Sequence, residues 1–210
     1  MSGSAVSLIN LDNYDLNKVF FTADQHFGHA NIIKFCNRPF SDAQAMDYAL
    51  IDKWNAKVPP DGIVFHLGDF TLGDSPDAVH YFGAVNGTIK ILANPWHHDK
   101  RWLGYLDRYP DYPYRSASNH PVEILPPLVM LERRDGEKWP LPIMLCHYPM
   151  GEWDRSHYGA WHLHGHSHGK YRSERGGRIM DVGADNCGYA PISFGDVFEW
   201  MERFDPQVQP

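Results

Sequence analysis

Three histidines fall within five residues in the segment from Leu163 to Gly169, which reads Leu-His-Gly-His-Ser-His-Gly. Imidazole is the commonest side chain that binds borderline transition metals. Glycines at 165 and 169 let the backbone turn sharply enough for neighbouring rings to reach one point. The segment therefore indicates a metal site. For this segment alone, a polar, His-rich surface loop is the alternative, so the rest of the chain decides between the two.

Short apolar stretches in the first half of the chain each end in polar side chains. Runs of β-branched and aromatic residues at 18–22, 63–67 and 88–92 predict three buried strands. Carboxylate, imidazole or amide groups follow within a few residues; in chain order they are Asp24, His26, Asp69, Asn94, His98 and Asp99. Open α/β sheets bind ligands at the carboxyl ends of their strands, so we expect these groups to meet at one edge of a sheet.

Helices predicted between these strands complete a strand-helix alternation. Residues 41–44 read as a capping box that starts a helix, whose apolar face includes Met46 and Trp54. Residues 76–85 and 100–109 predict two more helices. This alternation indicates a largely parallel sheet in the first half of the chain.

From about residue 122 the pattern changes to strands without helices between them. The predicted strands are 129–132, 142–146, 161–164, 178–182 and 190–194, and an amphipathic segment at 195–204 follows them. His147 comes directly after the second of these strands, and the His-rich segment comes after the third. Ligand-type side chains therefore stand at strand ends in this half as well.

Length and charge limit the classes of protein to which the chain can belong. At 210 residues it is long enough for one sizeable core, and we expect a single domain over residues 1–210. No stretch approaches 18 consecutive apolar residues, and the first twenty residues show no signal-peptide pattern, so we expect no membrane association and a cytoplasmic location. The formal net charge of −7 argues against an extended nucleic-acid surface, because such surfaces need arrays of Lys and Arg. A small phosphate pocket is compatible with this charge.

In chain order, the polar groups read Asp-x-His, Gly-Asp, Asn followed by His-Asp, a lone His, and Gly-His-x-His. This order resembles the calcineurin-like metallophosphoesterase superfamily over most of the chain, and residues 27–33 and 153–159 are similar to a compact branch found in phages and bacteria. The chain departs from the family pattern in two places. Leu72 stands where the family usually has a further Asp, and three residues are inserted between Asn94 and His98.

The resemblance implies a four-layer αββα sandwich, an α/β fold in which two packed mixed sheets are flanked by helices. It also implies two divalent metal ions, with Mn²⁺ first and Fe, Zn²⁺ or Ni²⁺ as alternatives. The implied ligands are Asp24, His26 and His168 for one ion, Asn94, His147 and His166 for the other, and Asp69 as the bridge between them. Mixed nitrogen and oxygen ligands suit such ions, and a shared carboxylate holds two of them roughly 3.5–4 Å apart.

The activity implied by the resemblance is hydrolysis of a phosphate ester, in which a hydroxide bridging the two metals attacks phosphorus in line. We expect a small substrate, a phosphodiester rather than a monoester, because a monoester carries one more charge and usually needs additional cationic side chains. In the family, the His after the asparagine acts as a general acid. The resemblance implies that His97 or His98 takes that role here.

Further residues are expected to support the ligands or contact the substrate; they are His29, His164, Asp99 and Asp181. Asp185 is expected, with Asp181, to orient a metal-bound imidazole. We expect His157 and His162 at the substrate entrance.

Two other functions stay open on the sequence. The His cluster also suits the metallo-β-lactamase fold, although that cluster normally lies early in the chain and precedes an Asp-His pair. A metal-binding scaffold with an altered third motif is the alternative that is not an enzyme. The retention of the other six implied ligands argues against it, because a pure scaffold needs no two-metal site.

Overall fold

The computed structural model describes residues 6–93, 98–112, 114–133, 142–171, 173 and 177–203. The strands are β1 Val6–Asn10, β2 Val19–Thr22, β3 Ile63–His66, β4 Thr88–Leu92, β5 Glu123–Leu125, β6 Leu128–Glu132, β7 Ile143–Cys146, β8 Trp161–His164, β9 Ile179–Asp181 and β10 Ile192–Ser193. The α-helices are α1 Ala30–Phe35, α2 Ala43–Lys57, α3 Ser75–Phe82, α4 Lys100–Leu106 and α5 Phe194–Glu202. None of these helices is both long enough and apolar enough to traverse a lipid bilayer.

The strands form two five-stranded sheets. Sheet A has the order β1-β6-β7-β8-β9, and sheet B has the order β10-β2-β3-β4-β5. Sheet A is parallel except for the β6–β7 pair, and sheet B is parallel except for β10, which runs antiparallel to β2. Both sheets are therefore mixed, which confirms the prediction of an α/β fold with two mixed sheets and helices.

Alternating side chains divide the interior into two apolar clusters. Phe21 and Phe65 of sheet B belong to the same buried cluster as Leu145 and Leu163 of sheet A, so the two sheets pack face to face. The opposite face of sheet B buries residues such as Val64 in a second cluster with helices α2, α3 and α4. Burial of apolar surface at roughly 25 cal/mol per Å² on both faces holds sheet B in the centre of the fold.

Helix α2 has the buried apolar face that its sequence predicts, but it begins at a different N-cap residue. Its Met46, Leu50 and Trp54 are buried at helical spacing, as predicted. The predicted capping box at Ser41 is wrong in detail, because Asp42 is the N-cap residue and its side chain accepts from the Ala45 N–H at 2.8 Å. Ser41 instead donates its hydroxyl to Asp42.

Among the described residues, no α-helix buries apolar side chains on the outer face of sheet A, where a further layer of helices was expected. The buried apolar residues of α1 to α5 all belong to one of the two clusters described above. On the outer face of β8, His162 contacts the ring of Trp153, whose indole N–H donates to the Ala160 carbonyl oxygen. The connection between β7 and β8 includes Pro149 and Gly151 and contains a 3₁₀ turn rather than an α-helix.

This packing brings strand ends of both sheets together. The loop after β2 bonds to the loop after β3 through the Asp24 N–H and the Gly68 carbonyl oxygen, at 3.0 Å. In sheet A, the Gly165 N–H donates to the His147 carbonyl oxygen at 3.0 Å. The His166 N–H then joins the two sheets by donating to Asp24 Oδ2 at 2.9 Å.

Candidate functional site

Asp24 and His26 lie in the loop that follows β2, residues 23–29, here called the Asp24 loop. The His26 N–H donates to the Asp69 carbonyl oxygen at 3.1 Å, which fixes this loop against the end of β3. Both side chains are buried. His26 Nε2 lies 3.9 Å from Asp24 Oδ1 and 3.6 Å from Asp69 Oδ2, so two carboxylates and an imidazole meet at one point.

Asp69 lies between side chains contributed by the two sheets. Its Oδ2 is 3.6 Å from His26 Nε2 and also 3.6 Å from His147 Nε2. His147 follows β7, and its Nδ1–H donates to the Leu67 carbonyl oxygen at 3.0 Å, so its Nε2 is the nitrogen on the side of Asp69. A carboxylate between two imidazoles has the placement that a shared metal ligand requires.

The loop at residues 165–169, here called the histidine loop, contributes His166 and His168. The ring of His168 stacks on that of His26 with centroids 5.3 Å apart, and its Nδ1–H donates to Asp185 Oδ2 at 2.7 Å. The His166 ring is exposed and stands 5.2 Å from that of His147. The histidine loop therefore presents one imidazole toward each of its neighbours, His26 and His147.

Four compact groups of ligand atoms occur in the described part of the chain, and two of them consist of predicted metal ligands alone; the other two are His26 with His29 and His98, and Cys36 with His168 and Asp185. The ligand atoms of Asp24, His26 and His168 lie within 4.8 Å of one another, and so do those of Asp24, Asp69 and His147. His166 is outside both groups, although its ring is next to the second.

Five predicted ligands have a left-handed backbone conformation. The angle φ is 61° at Asp24, 54° at His26, 59° at Asp69, 66° at His166 and 48° at His168. Nine non-glycine residues in the described part of the chain have positive φ, so the predicted ligands are more than half of them. Each such conformation costs on the order of 1–3 kcal/mol and persists only where the surrounding structure requires it, most often at functional sites.

The electrostatics of the site disfavour charge in the absence of a cation. Burial, followed by the nearby Asp69 and Asp181, raises the pKa of Asp24 well above its ordinary 3.8. Burial and the neighbouring Asp99 raise the pKa of Asp69 to about 7. Burial and the adjacent imidazoles of His98 and His168 lower the pKa of His26 well below 6.5. A divalent cation would reverse the effect on the carboxylates, because its charge favours their ionised form.

The polar atoms of the site fit a metal ion. Asp24 Oδ1 and both ring nitrogens of His26 are buried and make no hydrogen bond to any described residue. Buried polar atoms are almost always paired, so three such atoms at one place require an explanation, and an ion is one. Imidazole nitrogen with carboxylate oxygen is the donor set that Mn²⁺, Fe, Zn²⁺ and Ni²⁺ accept.

His29 and His98 extend the cluster of imidazoles beyond His26. The His26 ring is 5.6 Å from that of His29 and 4.8 Å from that of His98, and the latter two are 5.3 Å apart. The His98 N–H donates to Asp69 Oδ1 at 3.3 Å. Burial lowers the pKa of both His29 and His98. Asn94 and His97, a predicted ligand and a predicted acid, lie outside the described residues.

Asp99 is not among the predicted ligands, but it binds the backbone next to one of them. It is fully buried and accepts hydrogen bonds from the backbone N–H groups of Phe70 and Thr71, at 3.0 and 3.2 Å, and from the Trp102 indole at 2.7 Å. Asp99 thereby fixes the backbone directly after Asp69.

Asp181 supports the histidine loop in the same way. Its Oδ2 accepts from the Ser167 hydroxyl and from the Gly169 N–H, both at 2.7 Å. The buried His164 donates through Nδ1 to the Gly165 carbonyl oxygen at 2.8 Å. Both residues therefore shape the loop that carries His166 and His168.

The expectation that His162 lines the substrate entrance is wrong. Its side chain is fully buried, donates through Nδ1 to the Met144 carbonyl oxygen at 3.0 Å, and accepts at Nε2 from the Met150 N–H at 3.2 Å. The alternation of β8 turns it to the outer face of sheet A. His157 is exposed in the 3₁₀ turn Ser156–Tyr158, where its ring packs at a tilt against that of Tyr158.

Sequence reasoning missed Arg38 and Gly183. Arg38 is buried and binds Asp185 together with the Asp24 loop. A Cβ atom at Gly183 would lie 2.7 Å from Asp24 Oδ2, so this glycine admits the carboxylate. Neither contact gives a local sequence pattern, because Arg38 and Asp185, like Gly183 and Asp24, lie far apart in the sequence.

No family model matches the chain. An uncharacterized protein of Methanocaldococcus jannaschii, MJ1445, is 29% identical over 195 residues, which cover 90% of this chain and 93% of that protein. The gene 66 protein of Mycobacterium phage L5 is 28% identical over 71 residues, 34% of each chain. The crystal structure of AQ665 from Aquifex aeolicus, a protein of unknown function, matches with a TM-score of 0.57 at 20% identity, over 87% of this chain and 98% of that one. This structural likeness shows that the fold occurs in a second chain.

Proposed function

We propose that the protein is a metal-dependent phosphoric ester hydrolase of the calcineurin-like metallophosphoesterase type, with phosphodiesters as preferred substrates. The observation that carries the proposal is the convergence of Asp24, His26, Asp69, His147 and His168 from two sheets onto one point. The two packed sheets and the helices on sheet B correspond to three of the four layers of that fold, and no described helix supplies the fourth.

The proposed ligands divide between two divalent ions, with Mn²⁺ preferred. Asp24, His26 and His168 would hold one ion, His147, His166 and Asn94 would hold the other, and Asp69 would serve both. Ions bound there would supply a nucleophile at neutral pH and neutralise developing negative charge on phosphorus. The orphaned atoms of Asp24 and His26 and the near-equal distances from Asp69 Oδ2 to two imidazoles support this division.

The chain's own residues complete the chemistry. His98 would donate a proton to the departing oxygen, since its ring lies next to that of His26. His29 stands beside it and would bind a phosphate oxygen. Arg38 cannot act as a clamp for the additional charge of a monoester, because protein atoms engage its guanidinium donors. This supports the preference for diesters.

The test compares turnover of bis(4-nitrophenyl) phosphate and 4-nitrophenyl phosphate by chelator-treated protein, with and without added Mn²⁺. We expect Mn²⁺-dependent hydrolysis, faster for the diester, and about two metal ions per chain by elemental analysis. Asp69→Asn should reduce turnover to that of the metal-free protein. Asp61→Asn is the matched control, because Asp61 is an exposed carboxylate paired with Lys18.

Two results would overturn the proposal. The first is wild-type protein that binds no metal after reconstitution with Mn²⁺ or Zn²⁺. The second is full metal binding without turnover of any mono- or diester, which would favour the scaffold alternative.

A further inference from the structure

Arg38 is a buried cation whose partners are all protein atoms. It follows α1, where its backbone N–H donates to the Ile33 carbonyl oxygen at 2.8 Å. A guanidinium has five N–H donors, and five acceptors lie within reach of them here. Nε donates to Asp185, Nη1 to the Gln25 carbonyl oxygen and Met46 Sδ, and Nη2 to the Asp24 carbonyl oxygen and Asp185.

Two of these acceptors belong to the Asp24 loop. The carbonyl oxygens of Asp24 and Gln25 accept at 2.7 and 2.8 Å. These peptide groups connect two residues with left-handed backbone, Asp24 and His26, which alone would cost on the order of 1–3 kcal/mol each. Charge-assisted hydrogen bonds from a buried guanidinium are strong enough to offset a conformational cost of this size.

The other partner connects Arg38 to the histidine loop. Nε and Nη2 bind Asp185 Oδ1 and Oδ2 at 2.8 and 2.7 Å in a two-pronged pair, and Asp185 Oδ2 also accepts from His168 Nδ1–H at 2.7 Å. A carboxylate that holds the proton on Nδ1 leaves Nε2 with its lone pair, which is the form of the ring that binds a metal through Nε2.

We propose that Arg38 is a positioning residue that sets two metal ligands at once, Asp24 through its own carbonyl oxygen and His168 through Asp185. This inference rests on the proposed metal centre and goes beyond it, because it assigns the orientation of the ligands to a residue that touches no metal. Asp185 lies 147 positions from Arg38 in the sequence, so the contact joins the two loops directly.

The variant Arg38→Lys tests whether the positive charge alone is sufficient or whether the hydrogen-bond geometry of the guanidinium is required. A lysine ammonium keeps the positive charge next to Asp185, but it has three donors on one nitrogen and cannot form the two-pronged pair while also reaching both carbonyl oxygens. The control is Asn55→Ala, which removes two side-chain hydrogen bonds, to the Ala84 carbonyl oxygen and from the Asn86 N–H, away from the Asp24 loop.

The first measurement is Mn²⁺ affinity, from the electron paramagnetic resonance signal of unbound Mn²⁺ during titration. We expect Arg38→Lys to weaken the tighter site about 10- to 100-fold, as loss of a residue that orients a ligand typically does, and Asn55→Ala to leave it within about twofold. The second measurement is the tautomer of His168 in metal-free protein, from long-range ¹H–¹⁵N correlation spectra. Wild-type protein should show the Nδ1–H form, and Arg38→Lys should show a mixture of both forms.

The outcomes distinguish this inference from the proposed function. Wild-type protein that binds no Mn²⁺ refutes the metal centre and, with it, the positioning role. Wild-type binding with an unchanged affinity and an unchanged His168 tautomer in Arg38→Lys refutes the positioning role alone. If Arg38→Lys does not fold, Asp185→Asn applies the same two measurements from the other side of the pair, and an unchanged affinity and tautomer there has the same meaning.

Discussion

Replacing Asp69 by asparagine should stabilise the metal-free protein while removing its response to metal. Asp69 is 3% exposed, and burial together with Asp99 raises its pKa from 3.8 to about 7. The Asp69 carboxyl group therefore ionises at a pH about three units lower in the unfolded chain than in the folded chain. The difference corresponds to on the order of 4 kcal/mol of unfolding free energy lost by the folded state above pH 7.

The sign follows from proton binding. Between pH 3.8 and 7 the folded state holds the Asp69 proton more often than the unfolded state, so this group makes stability fall as the pH rises. Above pH 7 both states are ionised and the loss is constant. Asparagine does not titrate and can still accept from the His98 N–H, so the variant avoids the loss. The difference in unfolding free energy between the variant and wild type should increase from pH 4 to pH 7 and stay constant above pH 7.

Urea unfolding in the presence of a chelator, at half-unit steps from pH 4 to 8, measures this difference. Added Mn²⁺ should narrow this difference, because ligand at 100 times its dissociation constant stabilises wild type by about 2.7 kcal/mol and the variant by much less. Asp99→Asn is the contrasting control. Asp99 is also buried, but its Oδ2 accepts from the Phe70 N–H at 3.2 Å, and an amide there would meet a donor and lower stability. A metal-free Asp69→Asn protein no more stable than wild type at pH 8 would refute the reasoning.

Three further predictions concern other parts of the structure. His98→Asn should slow hydrolysis of an alkyl phosphodiester about 10²- to 10⁴-fold and of a nitrophenyl diester much less, with Mn²⁺ content intact; equal losses would argue against an acid role. Gly165→Ala would place a Cβ atom 2.5 Å from Asp24 Oδ2. It should cost about 1–3 kcal/mol and lower Mn²⁺ content, and unchanged values of both would contradict the packing described. Burial lowers the pKa of His162 from 6.5 to about 4. Its neutral form therefore stabilises the fold fully above pH 6.5, and on the order of 2 kcal/mol should be lost by pH 5. His162→Gln should flatten that part of the urea-stability profile, and an identical profile would count against the assignment.

Local patterns predicted most of the fold. The strand predicted at residues 161–164 has those bounds in β8, and α2 buries the apolar face that its spacing indicated. Strand β1 was missed because it is stabilised by parallel pairing with β6, more than a hundred residues away. Helix α1 was missed because it has six residues and a His29 N-cap without a side-chain hydrogen bond, so it shows neither clear periodicity nor a start signal.

In the candidate site, the predicted ligands could be found from the sequence, whereas most of the residues that position them could not. The rule that ligands gather at strand ends, with the order of the motifs, predicted that Asp24, Asp69 and His147 would lie together, and the structure brings them together. The residues that hold them in place were harder to predict. Asp185 was expected to orient an imidazole, but its partner Arg38 lies in an irregular segment after α1 and carries no motif. The Arg38–Asp185 pair can be identified only from the folded structure, in which the Asp24 loop and the histidine loop lie next to each other.

The division of the site between two sheets also bears on how fast the protein folds and unfolds. Asp24 and Asp69 follow strands of sheet B, whereas His147 and His168 follow strands of sheet A, so the full set of proposed ligands exists only after the sheets have docked. A cation that needs the docked state stabilises interactions absent from an early transition state, and such stabilisation appears in the unfolding rate. Mn²⁺ should therefore slow unfolding in concentrated urea and leave the refolding limb of the chevron unchanged. Faster refolding with Mn²⁺ would mean that the proposed ligands of a single sheet already bind the ion before the sheets dock. The cation would then accelerate folding rather than only slow unfolding.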